Sequence, residues 1–302
     1  MKPEQAAEII LAQFPDVSPK DVSYLGEGCD STAFDVDGQW VFRFPKRDDV
    51  EQQLLVEIRV LPVLAKESPI PLPEFCFHGR PSNTFPRHFG GYPKLHGMPA
   101  IGIDPATIPF DVCASRLGQF LSWLHRFPVS EADRLGVPAE DVVSLVDEVR
   151  GDALDDFGLL DQMIPDAPLE EWYRYIATGP PKTSGRLSSD AVLVHRDLAA
   201  EHVLLDSTQR KVTGIIDWSE MAIGDRSIDF AGLFHWGGET LTGMVLSHYD
   251  HPIDDAELRR ARFLAACRGV GDVAFGIETS RPEYIASGIR ALELCIGRDR
   301  NR

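Results

Sequence analysis

No Cys-x-x-Cys pair occurs in these 302 residues, and the five cysteines, Cys29, Cys76, Cys113, Cys267 and Cys295, are scattered and odd in number. Neither a disulfide framework nor a zinc site follows from them. No apolar run approaches the length of a membrane span, and Met1-Lys2-Pro3-Glu4-Gln5 begins no charged-then-apolar leader. The expectation is a protein of the reducing cytoplasm with no membrane partner. Basic residues are scarce: 30 Lys and Arg stand against 47 Asp and Glu, a formal charge of −17. That balance argues against nucleic acid, which needs clustered cations. It suits a cationic small molecule as substrate, or serves solubility alone. A Gly-x-x-x-x-Gly-Lys-Ser/Thr sequence is also missing, which disfavours a P-loop enzyme.

What is present fits an ordinary globular protein, 43% hydrophobic and 25% charged, long enough for two lobes or one large domain. Ala6, Ile9, Ile10 and Phe14 fall on one face of a helix over residues 4–14. Residues 22–36 read as strand, glycine turn, strand. In that turn Gly26 and Gly28 would let backbone N–H groups approach phosphate oxygens. Trp40-Val41-Phe42-Arg43-Phe44-Pro45-Lys46 alternates as a half-buried strand, with Arg43 placed to reach phosphates. Leu54, Leu55, Ile58, Leu61 and Leu64 then recur at helical spacing, and Glu57 among them could hold Arg43 from behind. Two strands are expected over residues 75–78 and 89–95, and a break at Gly97-Met98-Pro99. The lobe boundary falls near residue 96, dividing a strand-rich lobe, 1–95, from a helical lobe, 96–302. Such a junction is a natural slot for a nucleotide base. Helices follow over residues 110–127 and within 128–190, the latter ending in a Gly/Pro/Ser-rich loop over residues 179–189.

The stretch Val194-His195-Arg196-Asp197-Leu198-Ala199-Ala200-Glu201-His202-Val203-Leu204-Leu205 carries the chemistry. It matches the His-Arg-Asp-x-x-x-x-Asn loop in all but its last residue, where His202 stands. In that scheme Asp197 accepts or orients the proton of an attacking hydroxyl. The apolar run 212–216 ends in Asp217, and a hairpin could bring Asp197 and Asp217 to one mouth. Two ionised carboxylates so close need a cation, and Mg²⁺, which takes oxygen ligands and keeps waters, is the fitting one.

With these motifs in this order, the chain resembles the antibiotic phosphotransferases with a protein-kinase-like fold. It is most similar to the aminoglycoside 2″-phosphotransferases, with macrolide kinases next. The likeness runs through Gly26-Glu27-Gly28, the Arg43 strand, Gly91-Tyr92-Pro93-Lys94-Leu95-His96-Gly97, the central loop, Gly214-Ile215-Ile216-Asp217-Trp218 and Gly224-Asp225-Arg226-Ser227-Ile228-Asp229-Phe230. It implies an α+β fold of two lobes, a small antiparallel-sheet lobe with a helix and a larger, mainly helical one. It also implies a monomer that moves the γ-phosphoryl group of ATP or GTP to a hydroxyl of an antibiotic, an aminoglycoside first and a macrolide as the alternative. A non-catalytic nucleotide-binding module is the alternative from another class. By the same resemblance Asp197 is the base, while Gly26, Gly28, Ser31 and Arg43, steadied by Glu57, face the phosphates. Tyr92, Lys94 and Leu95 carry the nucleotide base, and His202 and Asp217 hold Mg²⁺. His195 and Asp229 brace the loop. From the residues themselves, Asp197 and Glu239, with His235 and Trp236 nearby, are expected to form part of the acceptor wall.

The chain departs from that family in three places. Arg43 stands where the 2″-enzymes usually have lysine, which leaves Lys46 as a possible substitute. His202 replaces the asparagine of most kinases. After Asp229, only Glu239 remains of the carboxylates that grip an aminoglycoside.

Overall fold

The computed structural model describes residues 1–27, 30–164, 167–180, 191–208 and 210–297. Gly28 and most of the loop expected over residues 179–189 lie outside the described residues. The chain begins with helix α1 (Pro3–Gln13) and then builds a sheet from β1 (Val22–Glu27), β2 (Ser31–Val36), β3 (Trp40–Pro45), β4 (Phe77–Gly79) and β5 (Phe89–Pro93). The strands lie in the order β1-β2-β3-β5-β4, with every pairing antiparallel.

Alternation along these strands gives the sheet two different faces. Phe34, Phe42, Phe44 and Phe89 point one way and form a closed aromatic core with Ala6, Ile9 and Ile10 of α1. The Phe44 and Phe89 rings stack with centroids 4.7 Å apart. Val41 and Tyr92 share the second core, with Leu54, Leu61 and Leu64 of helix α2 (Asp48–Leu64). Arg43 is two residues on from Val41 and shares its face. The strand therefore delivers a cation to the side where α2 packs.

Beyond β5 the chain turns helical. Gly97, at φ +124°, makes the expected break, but Met98 and Pro99 then pair with Leu205 and Leu204 as strand β6 (Met98–Pro99). Helices α3 (Phe110–Leu124), α4 (Val129–Leu135), α5 (Val142–Met163) and α6 (Leu169–Thr178) come next. α3 is the buried axis of this half, with Cys113, Leu117, Phe120, Leu121 and Leu124 all sealed in the core. Strand β7 (Val192–Val194) pairs with β10 (Ala222–Gly224), while β8 (Val203–Leu205) and β9 (Val212–Ile215) form the central hairpin beside β6. Helices α7 (Ser227–Leu246), α8 (Asp255–Thr279) and α9 (Pro282–Ile296) pack on one another beneath it. The molecule is thus an α+β, two-lobed, kinase-like fold.

Two expected elements are shorter than periodicity suggests. β5 stops at Pro93, which leaves Lys94 and Leu95 beyond the strand. α3 stops at Leu124 with His125 as its C-cap.

Candidate active site

Short apolar strands hold the 195–202 loop at both ends, and a single buried carboxylate fixes its middle. Asp229, in the first turn of α7, accepts the backbone N–H of His195 through Oδ2 at 3.1 Å and that of Arg196 through Oδ1 at 2.9 Å. His125 Nε2 reaches the same Oδ2 at 3.1 Å, and its Nδ1 meets the Tyr249 hydroxyl at 2.7 Å. His195 clips the loop to the next strand. Its Nδ1 accepts the Asp197 N–H at 3.3 Å, so Nε2 carries the proton and donates to the Ile216 carbonyl at 3.0 Å. Burial first, with His202 nearby, depresses the His195 pKa despite Asp229 and Asp197, in keeping with a neutral ring.

Arg196 adopts φ +71°, a left-handed conformation unusual for a residue with a side chain. Its guanidinium is gripped by Glu140 at 2.7 Å and Glu220 at 2.5 Å. Glu220 in turn accepts from Gln53 of α2 at 3.1 Å, so this loop is tied to the other lobe.

The second carboxylate arrives on the β8–β9 hairpin. Asp217 also has positive φ, +61°, and its Oδ1 accepts from Arg43 at 3.3 Å and from Ser219 at 3.1 Å. Arg43 donates its other terminal nitrogen to Glu57 Oε2 at 2.7 Å. Glu57 is buried on α2, so strand, helix and hairpin meet through one guanidinium. Burial pushes the Glu57 carboxyl up to about 7 against the pull of Arg43. For Arg43 the balance is reversed: burial opposes its charge, but Glu57 and Asp217 prevail and raise its pKa.

His202 stands between the two aspartates. Its Nδ1 lies 2.7 Å from the Asp197 carbonyl oxygen and 3.3 Å from Asp197 Oδ2, and its Nε2 lies 3.6 Å from Asp217 Oδ2. The carbonyl can only accept, so Nδ1 carries a proton and the neutral ring turns a lone pair toward the Asp217 carboxylate. Two acceptors facing each other need a cation or a second proton between them. Burial disfavours that proton, yet Asp197, Asp217 and Glu201 outweigh it and raise the His202 pKa. The Asp217 carboxylate offers the oxygen ligand that Mg²⁺ takes when its remaining positions are filled by phosphate oxygens and water, and the His202 imidazole stands beside it. Among the described residues no three or more His, Cys, Asp or Glu side chains gather as a complete metal cage.

Known proteins share this fold. The sequence pattern of the phosphotransferase enzyme family matches residues 21–264. The chain belongs to that family. Among solved structures, the GDP complex of wild-type aminoglycoside 2'-phosphotransferase-IIIa is 29% identical and superposes with a TM-score of 0.76, covering 99% of this chain and 100% of that one. A macrolide 2'-phosphotransferase type I is 25% identical with a TM-score of 0.62 over 96% of each chain. Among sequences, the uncharacterized protein YcbJ of Bacillus subtilis (strain 168) is 27% identical over 272 residues, 84% of this chain and 82% of its own. The chain is a phosphotransferase with an alcohol group as acceptor.

Other residues expected in the site of this phosphotransferase are placed less simply. Gly26 sits at a bulge in β1 opposite Ala33, and Ser31 opens β2 opposite Pro45. The Tyr92 side chain is buried edge-on against Phe75, their centroids 5.0 Å apart. Lys94 forms an ion pair with Asp35.

The residues expected in the acceptor wall lie mostly inside the helical lobe. His235 and Trp236 are buried, His235 facing Asp272 at 3.0 Å and Trp236 packed edge-on against Phe110 with centroids 5.7 Å apart. α7 is apolar around most of its surface and is covered by α3, α8 and α9, so neither residue forms an exposed wall. Glu239 points away to Arg262 at 3.4 Å.

Sequence reading missed the cation nearest the base. Arg268 of α8 forms charge-assisted bonds with Asp197 Oδ1 and Glu201 Oε1, and Asp272 lies one helical turn further along. On the sequence these look like ordinary polar positions of a long helix; only their four-residue spacing hints at a shared face.

Proposed function

We propose that the chain transfers the γ-phosphoryl group of ATP or GTP to a hydroxyl of a small antibiotic-like molecule, with an aminoglycoside as the first acceptor to test. One observation carries the reading. Arg43, Glu57, Asp197, His202 and Asp217, drawn from a strand, a helix, a loop and a hairpin, converge within linked distances of 2.7 to 3.6 Å. Phosphoryl transfer needs little covalent chemistry from the protein and much positioning and charge neutralisation, which is what such a set provides.

In the proposed mechanism the base slots in near residues 92–95, at a lobe boundary close to residue 96, and Arg43 steadies the phosphates while Glu57 fixes the guanidinium. The acceptor hydroxyl donates to Asp197 Oδ2, the oxygen that Arg268 leaves open. The acceptor oxygen forms the new bond to phosphorus, the bond from phosphorus to the β–γ bridging oxygen breaks, and the hydroxyl proton passes to the Asp197 carboxylate. Mg²⁺, held by His202 and Asp217, would neutralise charge on the phosphate oxygens. Asp229 and His195 keep the loop backbone in register throughout.

The neighbouring structures support this choice of partners: one related structure is a GDP and kanamycin complex, 28% identical with a TM-score of 0.72. The reading is tested by incubating the protein with Mg²⁺, ATP or GTP and a panel of aminoglycosides and macrolides. A product heavier by one phosphate is expected, and no such product with either donor would contradict the assignment of the acceptor class.

A further inference from the structure

Asp229 fixes the 195–202 loop through backbone N–H groups, and those bonds stop at the main chain. Where the Asp197 carboxyl points depends on two side-chain torsions, and the outer one, about an sp³–sp² bond, is broad and sets no direction of its own. A carboxylate that receives one hydroxyl proton at one oxygen needs that direction supplied from outside. Among the described residues a single hydrogen bond reaches the Asp197 carboxyl, and it runs from Arg268 Nη1 to Oδ1. His202 does not replace it. The His202 Nδ1 proton is directed to the Asp197 carbonyl oxygen at 2.7 Å, so Oδ2, 3.3 Å from that nitrogen, keeps its lone pairs for another donor.

Arg268 is itself held in one place. Its Nη2 donates to Glu201 Oε1, so one guanidinium spans two carboxylates of the same loop. The two are exposed to different degrees: the Glu201 side chain keeps only 7% of its surface accessible, whereas that of Asp197 keeps 29%. The anchor is sealed, and the carboxyl it aims stays within reach of an incoming hydroxyl. A forked guanidinium fixes direction as well as distance, because its N–H groups lie in one plane. Burial opposes the charge on Arg268, but Asp197, Glu201 and Asp272 outweigh it and keep the guanidinium ionised. Arg268 belongs to α8, which packs on α5, α7 and α9. The direction of the Asp197 carboxyl is therefore set from the helical bundle, not from its own loop.

We infer that Arg268 is a positioning residue for phosphoryl transfer: by holding Oδ1 it turns Oδ2 of Asp197 toward the acceptor hydroxyl, and it acts through Asp197 alone. The role rests on the kinase reading of Asp197 and adds to it the group that aims the carboxyl.

The test compares wild type, Arg268→Gln and Arg268→Lys in steady-state kinetics with Mg²⁺, ATP or GTP, and kanamycin or a macrolide, whichever is phosphorylated. Arg268→Gln is expected to lose about 10- to 100-fold in kcat while the KM for nucleotide stays within about twofold of wild type. Arg268→Lys, which keeps the charge but cannot fork, is expected to fall between the two. Crystals of the wild type and of Arg268→Gln, grown with Mg²⁺ and a non-hydrolysable nucleotide, give a second readout. The wild-type Asp197 carboxyl should show one orientation, with Oδ1 on Arg268, and that of Arg268→Gln a different or mixed one. A kcat for Arg268→Gln within about twofold of wild type, or a loss confined to the nucleotide KM, would overturn the proposal. So would an Asp197 carboxyl that is off Arg268 in the wild type or unmoved in the variant. Should Arg268→Gln fail to fold by circular dichroism, Arg268→Lys decides by the same kinetic and crystallographic criteria. If the wild type phosphorylates neither acceptor, the acceptor class fails, and the orientation of Asp197 still decides the role of Arg268.

Discussion

Arg43 is the residue through which the two lobes share charge, and its buried partner makes its loss pH-dependent. Removing one member of a buried ion pair typically costs about 3 to 5 kcal/mol, because the other is left charged and unsolvated. Burial already lifts the Glu57 carboxyl to about 7, and without Arg43 it rises further. A carboxyl raised in the folded state favours folding below its unfolded pKa and loses that contribution as pH climbs through the folded value. Arg43→Met is therefore expected to lose more stability at pH 8 than at pH 5.5 in urea titrations, and Arg43→Met with Glu57→Gln to recover most of the difference. Equal losses at both pH values would count against a charged Glu57 as the source. That Asp197, His202 and Asp217 lie together was legible in the loop motif and the strand-end aspartate. Arg268 was not, since nothing within its own helix reveals that its fork closes on Asp197 and Glu201.

Element packing sets the loop's position as firmly as its hydrogen bonds do. Gly232 of α7 lies directly under the loop, and a Cβ there would come within 1.4 Å of the Leu198 carbonyl oxygen. Since that contact is backbone, it cannot be relieved by rotating a side chain. Gly232→Ala is expected to lower stability by about 1 to 3 kcal/mol, as overpacking does, and to reduce kcat more than it raises the KM for nucleotide. A variant with wild-type kcat and melting temperature would show that helix and loop are not in fixed contact. The short strands at this joint are legible as apolar runs, whereas α7, apolar on most sides, shows no clear helical period. The burial of His235 and Trp236 was not legible for a related reason: α7 is buried on most sides, so periodicity gives no face on which either could be assigned to solvent or core. Residues on three separate helices close over them, and a local pattern carries no record of that.

At the scale of the whole molecule, the site exists only where the lobes meet. Among the polar links that cross there are Arg43 to Asp217 at 3.3 Å, Arg59 to the Leu135 carbonyl at 3.0 Å and Gln53 to Glu220 at 3.1 Å, the last continuing to Arg196 in the loop. Glu220→Ala leaves Arg196 its Glu140 partner, so the fold should hold, with a melting temperature close to wild type. Its kcat should fall by roughly tenfold as the loop loses its tie to α2, whereas an unchanged kcat would make that tie ornamental. Family likeness gave the fold and the order of the motifs, while Arg268 of α8 meets Asp197 only in the folded chain. Asp197→Ala decides the central claim most directly, with phosphoryl transfer and Mg²⁺–nucleotide binding measured on the same protein. The account expects transfer to vanish while nucleotide affinity stays near wild type; transfer at a near-normal rate would contradict it.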